Sequence, residues 1–275
     1  MKIINQSDDL KLTKSEIKIL EFIETNHDEF LFMSIMELAQ KLGVSEATIS
    51  RFVRKIGADD FKSFKSLILD KSNFMAAEKV KTTLDTSEDL QLDSYLKRQI
   101  ENINKTLDHI DKNEFQNACE LIARQSKIYV YAKHASKSIA SLIYTRLNRI
   151  GIDVEILPSG GTELVEYLSK INKDDIVIVF SFSKSSTESK IILDYKKEAK
   201  YKVILFTSRL YHDEADSGDI NLFAYRGQRN EYHSLTSPIA LVDAMIVKVT
   251  ELRGKESLDS LEKIKELKTR YQGYK

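Results

Sequence analysis

The sequence predicts two domains: an all-α helix-turn-helix bundle, then an α/β doubly wound domain built on a five-stranded parallel sheet. Three observations carry this expectation. Residues 34–65 (SIMELAQKLGVSEATISRFVRKIGADDFKSFK) hold two capped, apolar-periodic helices joined by a glycine-containing turn. Neither glycine nor proline occurs between Ala58 and Ile150, so that stretch is free to be largely helical. From Lys127 onward, short Val- and Ile-rich runs alternate with helical patterns, as they do where a parallel sheet is covered on both faces.

In chain order, residues 1–12 form a short lead. Thr13 stands at capping-box distance from Glu16, and Ile17, Leu20 and Ile23 follow at helical spacing. Residues 26–32 read as a loop or short turn. Ser34 and Glu37 repeat the capping box, and Ile35, Leu38, Ala39 and Leu42 give one apolar face. Gly43 ends that helix, since glycine enters the left-handed region without a Cβ penalty. Ser45 caps the next helix, with Ile49, Phe52, Val53 and Ile56 inward and Gly57 at its end. Its outward residues are Glu46, Ala47, Ser50, Arg51, Arg54 and Lys55. Small side chains near the start admit base edges, and cations follow for phosphates or guanine. Over residues 47–66, Arg51, Arg54, Lys55, Lys62 and Lys65 stand against Asp59 and Asp60, a net charge of +3. The same residues also fit a small helical bundle with a solvated basic face. Phe61, Phe64, Leu67 and Ile68 predict a further helix packed behind the reading helix.

Residues 76–90 are polar, with Thr82, Thr83, Thr86 and Ser87, and read as an inter-domain linker. An amphipathic helix follows over 92–109, its stripe made of Leu92, Leu96, Ile100, Ile103 and Leu107. That stripe suits its own domain or a partner subunit equally. Strands are predicted at 127–132, 152–157, 175–181, 202–207 and 220–225, with helices at 135–150, 161–172 and 186–200 and a loop joining the last two strands. A helix over 237–252 carries Ile239, Val242, Ala244, Met245 and Val249, and 256–275 make a charged helix and tail.

Composition narrows the function classes. Charge balances at 42 basic against 42 acidic residues, so any affinity for DNA must come from local segregation of charge. A single cysteine, Cys119, excludes an internal disulfide framework and lies in a helical apolar pattern, as a core residue does. The opening residues lack a signal-peptide run and no apolar stretch reaches membrane-spanning length, which predicts a cytoplasmic protein without a membrane partner. Zinc-ligand spacing and a Walker-type loop are both lacking, and no metal or cofactor is expected.

In open α/β sheets a ligand lies beyond the carboxyl ends of the strands, beside helix N-termini. The first strand runs into Lys133, His134, Ala135 and Ser136; the third runs into Ser181, Phe182, Ser183, Lys184, Ser185, Ser186 and Thr187. A hydroxyl-dense loop before a helix suits an anion, because backbone N–H groups and the helix dipole favour negative charge. The plainer reading is a serine-rich loop that only caps its helix. The acid/base candidates His134, Glu163, His212, Glu231 and His233 form no constellation in sequence, so no catalytic residue is expected.

LAQKLGVSEATISRFVRKIG followed by DDFKSFK closely resembles the N-terminal domain of the RpiR/MurR family of bacterial transcriptional regulators. Ala58 departs from it, standing where the family usually carries an aromatic residue. In that family a sugar-isomerase (SIS) domain follows, and a weaker resemblance continues there. Its "GxGxSxxxA" appears as Ala132, His134, Ser136 and Ala140, with both glycines replaced. Its "SxSGxT" appears as Ser181, Ser183, Lys184 and Ser186, with lysine in the glycine's place. Asn148–Gly151 and Val242–Ala244 resemble two further family segments.

The resemblance implies a DNA-binding domain at 1–76, a linker and amphipathic helix at 77–110, an SIS domain at 111–255 and a C-terminal tail at 256–275. It implies a regulator that binds a double-stranded DNA operator as a homodimer or tetramer. Ser45, Ala47, Thr48, Ser50 and Arg51 would lie nearest the bases, and Arg54, Lys55, Lys62 and Lys65 would hold phosphates. A sugar-phosphate effector would contact His134, Ser136, Ser181, Ser183, Lys184, Ser185, Ser186 and Glu231. Two alternatives stand beside this: a degenerate SIS domain that only dimerises, or a sugar-phosphate isomerase or lyase with an accessory helical domain.

Overall fold

The computed structural model of the chain describes residues 12–26, 30, 33–69, 79–81, 83, 92–183, 185–210, 214–228 and 231–272. Most of the expected lead and linker, together with Lys184 and His212, lie outside these residues. The chain forms two compact units. The first is Met1–Leu90 with Arg209–His212 and Gln228–Tyr232, and the second is Gln91–Ser208, Asp213–Gly227 and His233–Lys275.

The first unit holds α1 (Lys14–Thr25), α2 (Ile35–Leu42), α3 (Glu46–Lys55) and α4 (Phe61–Leu69). Both predicted capping boxes close: the Ser34 N–H donates to Glu37 Oε2 at 2.6 Å and the Glu37 N–H to Ser34 Oγ at 3.2 Å, and Thr13 and Glu16 do the same. At the end of α2, Gly43 has φ 63°, and the Val44 N–H reaches back to the Ala39 carbonyl at 3.0 Å. α3 ends the same way, with Gly57 at φ 91° and the Ala58 N–H on the Val53 carbonyl at 3.1 Å. These Schellman closures satisfy the orphan carbonyls and fix the tight turn between α2 and α3. Ala58 is buried against this core. Behind α3, Phe64 of α4 meets Phe52 and Phe30 edge-to-face at 6.1 and 5.9 Å.

The second unit runs α5 (Leu92–His109), α6 (Lys112–Ala123), β1 (Lys127–Tyr131), α7 (Lys137–Arg149), β2 (Asp153–Ile156), α8 (Gly161–Leu168), β3 (Ile176–Phe180), α9 (Thr187–Ala199), β4 (Lys202–Thr207), β5 (Ile220–Phe223), α10 (Thr236–Arg253) and α11 (Lys255–Arg270). All four strand pairings are parallel, in the order β2-β1-β3-β4-β5. Between β4 and β5 the described residues hold a single 3-10 turn, Glu214–Asp216.

Alternate side chains on each strand face opposite helical layers. Ile128 and Val130, Ile178 and Phe180, and Ile204 and Phe206 pack with α6, α7 and α10. Tyr129 and Tyr131, Val177 and Val179, and Val203 and Leu205 pack with α8 and α9. Cys119 is in the first of these layers, and burial pushes its thiol up to about 11.

α5 departs from the usual amphipathic arrangement. The residues it buries are Gln99, Asn102 and Thr106, and its apolar stripe is open, with Leu92 70% and Ile100 58% exposed. The polar edge has a structural reason. Thr106 Oγ1 accepts the Tyr225 N–H at 2.9 Å just beyond β5, and His109 lies against the Phe223 ring. Among the described residues no helix is long and apolar enough to cross a membrane.

Candidate functional site

α3 presents its expected face outward. Ile49, Phe52 and Val53 are buried, while Ser45, Glu46, Ala47, Arg51 and Arg54 are exposed and Thr48 and Ser50 half-buried. Ser45 accepts the Thr48 N–H at 3.1 Å, which caps the helix and fixes both hydroxyls at its tip. Arg51 Nε donates to the Ala47 carbonyl at 3.2 Å, so its guanidinium lies along the open face. Lys62 is exposed, and Lys65 rests over the Phe61 ring at 5.3 Å.

Lys55, also expected to hold a phosphate, has a partner within its own unit. Its ammonium lies 2.8 Å from Glu16 Oε2, and Glu16 also accepts the Thr13 N–H at 2.7 Å. Burial raises the Glu16 carboxyl, but the donors of Lys55 and Thr13 outweigh it and hold the group below its ordinary value. Lys55 therefore ties the end of α3 to the start of α1.

In the second unit, strand order reverses at β1, which pairs with β2 on one side and β3 on the other. This is the topological switch point, where doubly wound sheets open a crevice. β1 and β3 are in register at Tyr131 and Val179, so the segments leaving them emerge side by side. Lys133 and the 3-10 turn His134–Ser136 follow β1; the serine loop 181–186 follows β3. The structure thus brings His134, Ser136, Ser181, Ser183, Ser185 and Ser186 to one edge of the sheet. Ser136, Ser181 and Ser185 are buried, and Ser183 is exposed. Ser186 caps α9 by accepting the Ser189 N–H at 3.2 Å. His134 keeps a positive φ of 50° although it is not glycine, a conformation that costs an ordinary side chain energy.

The serine loop is braced from beyond β4 and β5. The Ser208 N–H donates to the Phe182 carbonyl at 2.8 Å. The Arg226 guanidinium stacks on the Phe182 ring at 4.5 Å while donating to the Ser234 and His233 carbonyls, both at 3.1 Å.

Three crevice residues were not singled out by spacing. Lys133 Nζ lies 2.8 Å from Glu188 Oε2. That contact, with the Glu188 N–H and the Ser186 hydroxyl, holds the Glu188 carboxyl down to about 2. A Cβ built on Gly160 would approach Glu188 Oε1 to 2.9 Å. The only sequence signals were an acidic residue in the first turn of a helix and a lysine at a strand exit.

Of the acid/base candidates, Glu163 is exposed on α8 and His134 on its turn. Glu231 accepts the Gln228 N–H at 3.4 Å within the segment Gln228–Tyr232 of the first unit.

Comparison with known proteins gives this geometry a family. The model of the helix-turn-helix domain of the rpiR family matches residues 1–73, and that of the SIS domain matches residues 121–248. An uncharacterized HTH-type transcriptional regulator of Clostridium perfringens is 30% identical over 202 residues, covering 72% of this chain and 71% of the relative. The chain belongs to the rpiR family of transcriptional regulators. A further relative, the HTH-type transcriptional regulator HexR of Escherichia coli, is 24% identical over 264 residues, covering 93% and 89% of the two chains. Among solved structures, NanR of Vibrio vulnificus complexed with ManNAc-6P shares the fold with a TM-score of 0.60, 19% identity and 98% coverage of both chains. The sugar isomerase domain of an RpiR transcription factor from Sphaerobacter thermophilus aligns with a TM-score of 0.59 and 22% identity, over 64% of this chain and 99% of that domain. This rpiR regulator therefore joins a helix-turn-helix domain to an SIS domain.

Proposed function

We propose that this regulator reads its operator through α3 as a homodimer and is controlled, without turnover, by a phosphorylated sugar in the SIS crevice. The observation that carries the effector is the crevice itself. At the switch point, hydroxyls of the loop 181–186 and the N-terminus of the 13-residue α9 converge beside the exit of β1. The ManNAc-6P complex of NanR supports the ligand class. The open stripe of α5 supports pairing, which a single short reading helix needs for selective binding. Control requires the ligand to prefer one arrangement of the paired reading helices, because equal affinity for both would shift nothing.

Thermal-shift measurements with a panel of hexose, pentose and amino-sugar phosphates test the effector. At least one compound should raise the midpoint, and Ser183→Ala should abolish that rise. No shift with any compound would favour a sheet used only for pairing, and robust turnover of any compound would make the protein an enzyme.

A further inference from the structure

Glu188 stands in the first turn of α9 and reaches back across the crevice to Lys133. Its carboxylate is met by the Lys133 ammonium at 2.8 Å, and the Ser186 hydroxyl that caps α9 stands two residues before it in the chain. Those donors are the set a phosphomonoester would use at a helix N-terminus. Lys133 follows β1, Glu188 follows β3 and Gly160 follows β2, so the pair and its neighbour span the exits of three adjacent strands. A Cβ on Gly160 would come within 2.9 Å of Glu188 Oε1 and would displace the end of that side chain.

We propose that Lys133 is the cation that receives the effector's phosphate, and that Glu188 is the internal anion which holds Lys133 in place and is exchanged for that phosphate. The inference rests on the phosphate reading of the crevice. A phosphomonoester near neutral pH carries close to two negative charges. Beside Glu188 it would meet like charge and compete for Lys133 and Ser186. Exchange removes both conflicts: the phosphate takes the two donors, and the Glu188 carboxylate turns to water. The half-buried side chains, 29% exposed for Lys133 and 22% for Glu188, leave room for that turn. What tied the exit of β1 to α9 then becomes a tie through the ligand. The strained His134 adjoins the cation that changes partner, so ligand exchange acts directly on the β1 exit.

Calorimetric titration of the full chain with inorganic phosphate, and with whichever panel compound shifts the wild type, tests the exchange. Glu188→Gln should tighten binding about tenfold by releasing Lys133. Lys133→Met should weaken binding at least as much, in the wild type and in the Glu188→Gln background alike. Lys133→Arg, which keeps the charge, should restore most of the affinity, a rescue that a folding defect would not show. Wild-type binding with Glu188→Gln unchanged or weaker would overturn the exchange and leave the crevice reading standing. No binding of any probe to the wild type would overturn both.

Discussion

Arg51 and Lys55 lie four positions apart on one helix, and the structure gives their side chains different partners. The helical period placed both outward, and both are exposed, as is Arg54. It could not show that Lys55 folds back onto Glu16, because the partner lies 39 residues away and on another helix. Lys133 and Glu188 were hidden in the same way, 55 residues apart. Contacts across the fold, unlike faces of a helix, leave no periodic trace. Three substitutions separate the roles. Arg51→Ala should cost operator binding about 1–3 kcal/mol and leave random duplexes less affected, since it removes a candidate base contact. Lys62→Ala should weaken all duplexes alike and lower the salt dependence by about one unit of slope. Lys55→Ala should leave DNA binding near the wild type but lower thermal stability by about 1–3 kcal/mol, because it strips the buried Glu16 carboxylate of its cation. Equal losses of Arg51→Ala and Lys62→Ala on specific and random DNA would refute the division.

At the scale of elements, the caps and strands were legible and the neighbours were not. Thr13, Ser34, Ser45, Gly43 and Gly57 all end helices as their spacing implied. The five strands fall within two residues of the Val- and Ile-rich runs, because a strand buried on both faces reads as a continuous apolar stretch. Strand order was not readable, and it is the reversal at β1 that locates the crevice. Asp219, at the entry to β5, shows what else the order requires. Burial raises its carboxyl, yet the Val203 N–H at 2.8 Å and the ammonium groups of Lys196 and Lys202 bring it below the ordinary value near 3.8. A group depressed by folding stabilises fully above its unfolded value and loses that contribution as pH falls through its folded one. Asp219→Asn should therefore be less stable than the wild type at pH 7 by about 1–3 kcal/mol. The difference should shrink steadily below about pH 4. Acid titrations of both chains, followed by circular dichroism, read this directly. A constant gap down to pH 2 would show that Asp219 is not held ionised by the fold.

For the whole molecule the decisive element is α5, where sequence supplied the stripe and structure supplied its exposure. Leu96, Ile100, Ile103 and Leu107 follow the alternating four- and three-residue spacing of a helix-pairing seam. The sheet unit takes α5 by its polar edge, where the Thr106 hydroxyl accepts the Tyr225 N–H. The apolar side is thereby left for another surface, and α10, against which α5 packs, adds Val247 at 68% exposure. Soluble monomers rarely keep so long an apolar row in water. A second copy of the same helix is self-complementary to it, as an isologous interface demands. Ile100→Glu should then convert the protein from dimer to monomer in sedimentation velocity. Because Ile100 is exposed within its own unit, the substitution should leave the unfolding of that unit nearly unchanged. Operator affinity should fall about a hundredfold or more, since two linked half-sites bind far more tightly than one. Single half-site duplexes should bind as before. A variant that remains dimeric would move the pairing surface away from α5, and one that unfolds would return the stripe to the core of its own domain.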